Sequence, residues 1–278
     1  MRRISFYKQF SLTRPYTRLY STSNKPRITF EGEPTSQITQ SIGLNKFMSK
    51  VYMRMGFGVT TTIGTSLALM PFIGHHNPLI YLGVGAATSF ASVFAITSIQ
   101  PIYMIKYEGS ELVHYSENTL LREASFWGLT GGMGIMMAPF IYQIMEIDPA
   151  IVPASLFLSG TIFGGCALFA SKTRNTTIMA WKAPLMVGLG SLIGIQLAGL
   201  GSMLIFGPNA FSNIVHSVDT FGGVILFTFM SIYDAYISKQ LYLTGKADHI
   251  GSATSVYLDF MNLLIRIVEV MAKAQNKK

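Results

Sequence analysis

The sequence predicts an all-α membrane protein: a bundle of seven transmembrane helices with the last helix at its centre. Three observations carry this. Apolar residues come in blocks of about twenty, the length that crosses a ~30 Å hydrocarbon layer. Only 12% of the 278 residues are charged and the mean hydropathy is +0.40, whereas a soluble domain carries about 25% charge. Period-2 alternation is absent from the blocks, so their backbone is satisfied within helices and not in barrel strands.

The chain reads as four segments. Residues 1–30 are a mitochondrial targeting presequence, 31–45 a polar linker, 46–272 the seven-helix domain and 273–278 a basic C-terminal tail. The leader holds Arg2, Arg3, Lys8, Arg14, Arg18, Lys25 and Arg27 with no acid, many hydroxyls, and Phe6, Tyr7 and Phe10 at spaced positions. It has no run of apolar residues long enough for a secretory signal, and its composition is that of an import sequence. The alternative is an ordinary basic tail. Removing these seven from the 21 basic residues leaves 14 against 13 acidic ones, so the formal charge of +8 marks the leader. No basic patch remains for nucleic acid.

The expected spans are 55–73, 79–99, 125–142, 150–170, 184–206, 220–238 and 251–272, with Pro78, Pro149 and Pro184 at their starts, where a missing N–H costs nothing. Alternate links differ in charge. One side carries Lys46, Lys50, Arg54, Lys106, Arg122, Lys172, Arg174, Lys182, Lys239 and Lys246, while the links 74–78, 143–149 and 207–219 carry no Lys or Arg. By the positive-inside rule the first side is the matrix, which puts the N-terminus in the matrix and the C-terminus in the intermembrane space. Six spans with a re-entrant element is the alternative. Small residues recur every four positions at Gly190, Gly194, Ala198 and Ser202, at Gly160 and Gly164, and at Gly128 and Gly132. Such rows permit close helix packing in lipid.

Acids within the spans are Asp234, Asp259 and Glu269, and the base in a span interior is Arg266. Charge at mid-membrane costs at least ~2.5–3.5 kcal/mol and marks function by default. Glu269, three residues from Arg266 and near the tail, reads as an interfacial ion pair. Asp234 and Asp259 fall in the same half of the membrane on successive antiparallel helices. Two carboxylates in one dry site cannot both ionise cheaply, so the pair shares a proton or holds a hard cation such as Ca²⁺ through its oxygens. The alternative is two separate aspartates, each hydrogen-bonded to a neighbouring helix. Ser252, Ser255, Asp259, Asn262, Arg266 and Glu269 recur at spacings of three and four, which places them on one helical face. Such a stripe faces other helices or water, hence the central seventh helix. Thr228, Ser231, Asp234 and Ser238 form a similar face on the sixth.

At these residues the chain resembles a known family. Ser255-Val256-Tyr257-Leu258-Asp259-Phe260-Met261-Asn262-Leu263 and Ile232-Tyr233-Asp234 resemble the two signature segments of the Bax inhibitor-1 (transmembrane Bax inhibitor motif) family. Ala183-Pro184-Leu185-Met186-Val187-Gly188-Leu189-Gly190 and Gly222-Gly223-Val224-Ile225-Leu226-Phe227 are similar to its mitochondrial branch. The likeness is strong over about 180–272 and extends to the span pattern from 46 onward. It implies seven helices with the last one central, Asp234 and Asp259 as a pH-sensitive latch in a Ca²⁺ leak or Ca²⁺/H⁺ exchange path, an inner-membrane location, and roles in cristae upkeep and cell-death control. Two positions depart from it. Ala235 and Tyr236 stand where the family has Thr-Gln, and Lys106 is the one match for a basic residue that closes the latch.

Other classes find less support. His75, His76, His114, His216 and His249 all fall in links and form no HExxH, and no phosphate loop or nucleophile elbow occurs. The lone Cys166 rules out a disulfide framework. An enzyme is therefore not expected, nor a resident cofactor; Ca²⁺ would be cargo. The rival to a transporter is a non-transporting structural protein, an accessory subunit of a respiratory or other large inner-membrane complex. The partners are the lipid bilayer and such membrane proteins.

Overall fold

The computed structural model describes residues 33–74, 77–108, 111–117, 119–173, 176–207 and 210–275. The leader, His75, His76, Arg174, Lys277 and Lys278 lie outside them, as do the side chains of Lys106 and His114. The chain divides into Met1–Gln37 and Ile38–Lys278. In the first unit only the helix from Glu33 is described; the bundle and its sites belong to the second.

Seven helices run in order: α1 (Glu33–Ile73), α2 (Pro78–Ser98), α3 (Leu120–Ile147), α4 (Ile151–Lys172), α5 (Lys182–Phe206), α6 (Ala210–Leu243) and α7 (His249–Gln275). Each contains the span expected for it, apart from the last residue of the second and the first of the fourth. Local chemistry sets several ends. Pro78 opens α2, and Asn77 caps it by accepting the Leu79 N–H at 3.0 Å. Gly245, at φ +77°, lets the chain leave α6 in the left-handed conformation.

Three expectations change. Helix α1 begins at Glu33 and runs through the segment read as a linker. Helix α6 begins at Ala210, so most of the link 207–219 is helix, and Asp219 and His216 sit inside it. His249 likewise is the first residue of α7 and not part of a link. The fold is also not purely helical. The link after α2 forms an antiparallel hairpin of β1 (Ile102–Glu108) and β2 (Glu111–Glu117), with Ile102 opposite Glu117 and Glu108 opposite Glu111. Its first strand, Ile-Tyr-Met-Ile-Lys-Tyr-Glu, is rich in strand formers. Thr176–Trp181 adds a short 3-10 helix before α5.

Among the described residues, α1 to α6 are long and apolar enough to cross a membrane, and α7 is not. Helices α2 and α4 turn Phe90, Phe94 and Phe157 outward, 73–79% exposed. In water such faces would aggregate, whereas in lipid they are the required surface. The chain is an integral membrane protein. Helix α7 inverts the pattern: it carries Asp259, Arg266, Glu269 and Lys273, yet more than half of its residues are buried. It packs on α2, α3, α4 and α6. Tyr257 and Phe260 make edge-on contacts with Phe126 and Phe163, at centroid distances of 6.1 and 5.6 Å. The Tyr257 hydroxyl meets Thr62 Oγ1 of α1 at 2.5 Å, and Thr62 also reaches the Thr130 carbonyl of α3 at 2.9 Å.

The small-residue rows serve unequal purposes. Gly128 and Gly132 of α3 lie against Ser92, Ser89 and Gly85 of α2, so closely that a Cβ on Gly85 would stand 2.5 Å from the Met136 nitrogen. By contrast, a Cβ on Gly160, Gly164, Gly190 or Gly194 would meet no atom within 4 Å. Small spacing permits close approach without enforcing it. Gly85→Val should therefore force α2 off α3 and lower stability by ~1–3 kcal/mol, the usual range for overpacking. Gly160→Ala should leave the melting temperature in detergent unchanged or raise it. Equal melting temperatures for wild type and Gly85→Val would refute the distinction.

Candidate functional site

Helices α6 and α7 bring the two membrane aspartates together. Asp234 lies near the end of α6 and Asp259 lies ten residues into α7 on the antiparallel return. Their carboxyl groups are close enough to feel each other electrostatically. Asp259 is 3% exposed and its Oδ2 has no hydrogen-bond partner, while Asp234 is half-buried. The antiparallel return of α7 thus sets the two aspartates side by side.

Asp234 forms part of the wall of a cavity of about 440 Å³ enclosed by the end of α2, the start of β1, α6 and the first turns of α7. Ser238, Ser252 and Ser255 share that wall. Ser252 Oγ is buried with no hydrogen-bond partner, and Ser238 donates to the Asp234 carbonyl at 2.8 Å. The lining polar groups are chiefly oxygens, which suit a hard cation with water completing its shell. Among the described residues no three His, Cys, Asp or Glu side chains converge on one point, so a cation here would have two carboxylates and the balance from water and hydroxyls.

The basic residue at this cavity is Arg122, which by sequence belongs to a link. It is 3% exposed in the first turn of α3. Its Nη1 and Nη2 donate to Asp248 Oδ1 and Oδ2 at 3.0 and 2.6 Å, and its Nε donates to the Ile96 carbonyl at 3.3 Å. Asp248 also caps α7, accepting the Gly251 N–H at 3.1 Å. One carboxylate therefore starts α7 and fixes a bidentate pair in the cavity wall. Beside it, Arg54 pairs with Glu123, and His249 sits between Ser116 Oγ at 3.3 Å and Glu123 Oε1 at 3.9 Å. Burial, reinforced by Arg54, holds the His249 imidazole below its ordinary pKa against the opposing pull of Glu123 and Asp248.

The rest of the α7 stripe belongs to a second site. Asn262 donates to the Leu258 carbonyl of its own helix at 2.9 Å. Arg266 pairs with Asp219 of α6, and Glu269 stands 3.6 Å from the same guanidinium. Gln196 of α5 donates to Asp219 at 2.9 Å, and Thr220 donates to Glu269 at 2.8 Å. The expected Arg266–Glu269 pair is present but secondary. Its stronger partner, Asp219, falls one residue before the expected sixth span and so drops out of a count of acids within spans. Gly223 leaves the room Arg266 occupies, since a Cβ there would be 2.9 Å from Nε. The sequence does carry a signal for it: Asp219, Gly223 and Leu226 share one face of a helix begun one turn earlier.

These features define a class: a polytopic helical membrane protein whose most polar helix is internal and bears a buried aspartate, Asp259, next to a second one, Asp234, that lines a cavity. The chain belongs to the Bax inhibitor-1 family, whose model, described as inhibitor of apoptosis-promoting Bax1, matches residues 44–276. Among curated proteins it is 30% identical over 159 residues to the growth hormone-inducible transmembrane protein of Rattus norvegicus. That match covers 55% of this chain and 44% of the rat protein, so it spans less than half the length of that relative. An uncharacterized protein of Caulobacter vibrioides is 22% identical over 228 residues, covering 80% of this chain and 86% of its own length. One of Rickettsia prowazekii is 20% identical over 268 residues, covering 94% and 99%.

Asp219→Asn should leave the Arg266 guanidinium buried with Glu269 alone. The expected loss of stability is at the low end of the ~3–5 kcal/mol for breaking a buried pair, measured by thermal unfolding in detergent. Glu269→Gln should cost less. A larger loss from Glu269→Gln would reverse the assignment of Asp219 as the main partner.

Proposed function

We propose that this protein is a pH-sensitive Ca²⁺ leak or Ca²⁺/H⁺ exchanger of the inner mitochondrial membrane. The observation that supports this most is the proximity of Asp234 to Asp259 beside a cavity whose polar groups are chiefly oxygens. Two carboxylates that share a proton carry one negative charge, and losing that proton leaves two, which match a divalent cation. Proton and Ca²⁺ then compete for one site, and competition of this kind couples their movements. Helix α7 crosses as a seventh span inside a sheath of the other six, with the N-terminus in the matrix. The acid-free basic leader and the split of basic residues between the links support this placement, and the roles in cristae upkeep and cell-death control follow from the family resemblance.

The rival reading is a non-transporting accessory subunit of a respiratory or other large inner-membrane assembly. Ala235 and Tyr236 support it, because both are buried positions beside Asp234 where the family has Thr-Gln. The unpacked Gly190–Gly194 face of α5 would then seat a neighbour.

Asp234→Asn and Asp259→Asn keep side-chain size while removing the titration. In liposomes, wild-type protein should carry Ca²⁺ at a rate that changes between about pH 6 and 8, and either variant should lose that dependence while staying folded. Wild-type liposomes without Ca²⁺ flux across that range would leave the subunit reading standing. In mitoplasts, protease should remove a C-terminal tag and spare one placed at 172–178; the reverse pattern would invert the orientation.

A further inference from the structure

A second cavity, of about 590 Å³, lies between α1, α4 and α6 and has no place in the Ca²⁺ path. Its volume falls within the ~300–1,000 Å³ of small-ligand sites. Gly160, Phe163, Gly164 and Ala167 make one wall, and Met48 and Tyr52 of α1 make the other. The two glycines are what leave it open, since neither has an atom within 4 Å of where a Cβ would be. From Gly160 to Ser171 it follows α4 for roughly 16 Å at ~1.5 Å per residue. The deep end is apolar. The other end holds Asn45, Ser49, Ser171 and Lys239, on the side of the molecule where basic residues gather.

Charge distinguishes this mouth from the first cavity. Lys46 and Lys50 stand on the same turns of α1 as Asn45 and Ser49, Lys172 follows Ser171, and Lys239 Nζ donates to the carbonyls of Ser171 and Thr173 at 2.8 and 3.2 Å. Residues 34–107 and 149–218, which include these stretches of α1 and α4, contain no Asp or Glu. A slot that is apolar in depth and cationic at its rim, within membrane-crossing helices, matches one kind of molecule. We infer that this groove binds an anionic phospholipid, with an acyl chain along Gly160 and Gly164 and the phosphate at Lys239. Basic pockets between membrane helices on the positive side bind such headgroups. A second copy of the chain fits poorly, because two-fold packing through this face would bring its lysines against their own counterparts.

The full-length protein, purified in mild detergent, is exposed to phosphatidylglycerol or phosphatidylcholine and weighed by native mass spectrometry. Phosphatidylglycerol should remain bound and phosphatidylcholine should not. Gly164→Leu, whose Cβ would meet no atom within 4 Å and whose longer side chain takes up groove space, should abolish retention with no fall in melting temperature. Lys46→Gln, which leaves the Lys239 contacts intact, should weaken retention about fivefold, the factor for ~1 kcal/mol per basic residue. Equal retention of both lipids, or full retention by Gly164→Leu, would overturn the assignment. A dimer that Gly164→Leu dissolves would also overturn it and give the groove to a second copy.

Discussion

The fold turns on a helix that hydrocarbon will not accept. Helix α7 carries two acids and two bases within its length, and an ionised side chain facing lipid costs more than any packing gain returns. The other helices must therefore surround it, and they meet it with Tyr, Phe and Met on its apolar side and with hydroxyls and counter-charges on its polar side. The outer helices can be almost uniformly apolar because the one polar seam is already enclosed. Burial without a partner would be equally unfavourable, which is why Arg266 on α7 has an answering group in Asp219.

The two clusters on α6 and α7 differ in kind. Asp219–Arg266 is a matched pair, neutral as a unit and further tied to Gln196 and Glu269. It fastens α5, α6 and α7 at one end. Asp234–Asp259 is a pair of like groups with one oxygen left without a partner. The first arrangement is satisfied by the protein's own residues, and the second is not. That asymmetry, more than the mere presence of acids in the membrane, singles out Asp234 and Asp259 as the candidate site.

Much of this is legible in the sequence. Block length yields the six helices α1 to α6, because crossing a membrane fixes the number of apolar residues, and the polar α7 is found by its spacing. The three-four spacing from Ser252 to Glu269 reveals the polar face of α7, and antiparallel succession places Asp234 beside Asp259. What the sequence hides has local causes. Asp248 sits where α7 begins and Asp219 in a polar stretch of α6 that reads as a link, and residues at such places look like links until their partners in space are known. Arg122 counts by sequence only as a charge on one side of the membrane, although it is buried against Asp248. The hairpin Ile102–Glu117 is concealed by its length, since seven-residue strands are short beside helices of twenty or more. Packing rows of glycine give no hint of which are used, because that depends on the shape of the facing helix.

The junction of Thr62, Thr130 and Tyr257 carries a mechanical consequence. A single threonine hydroxyl joins α1 to the backbone of α3 and to the phenol of α7, so these three helices turn and tilt as one stiff core. Helix α5 leans chiefly on α6. Any rearrangement that separates Asp234 from Asp259 must then swing α6 across this core and take α5 along as its passenger, with the left-handed Gly245 and the Asp248 cap as the pivot between the moving arm and the fixed one.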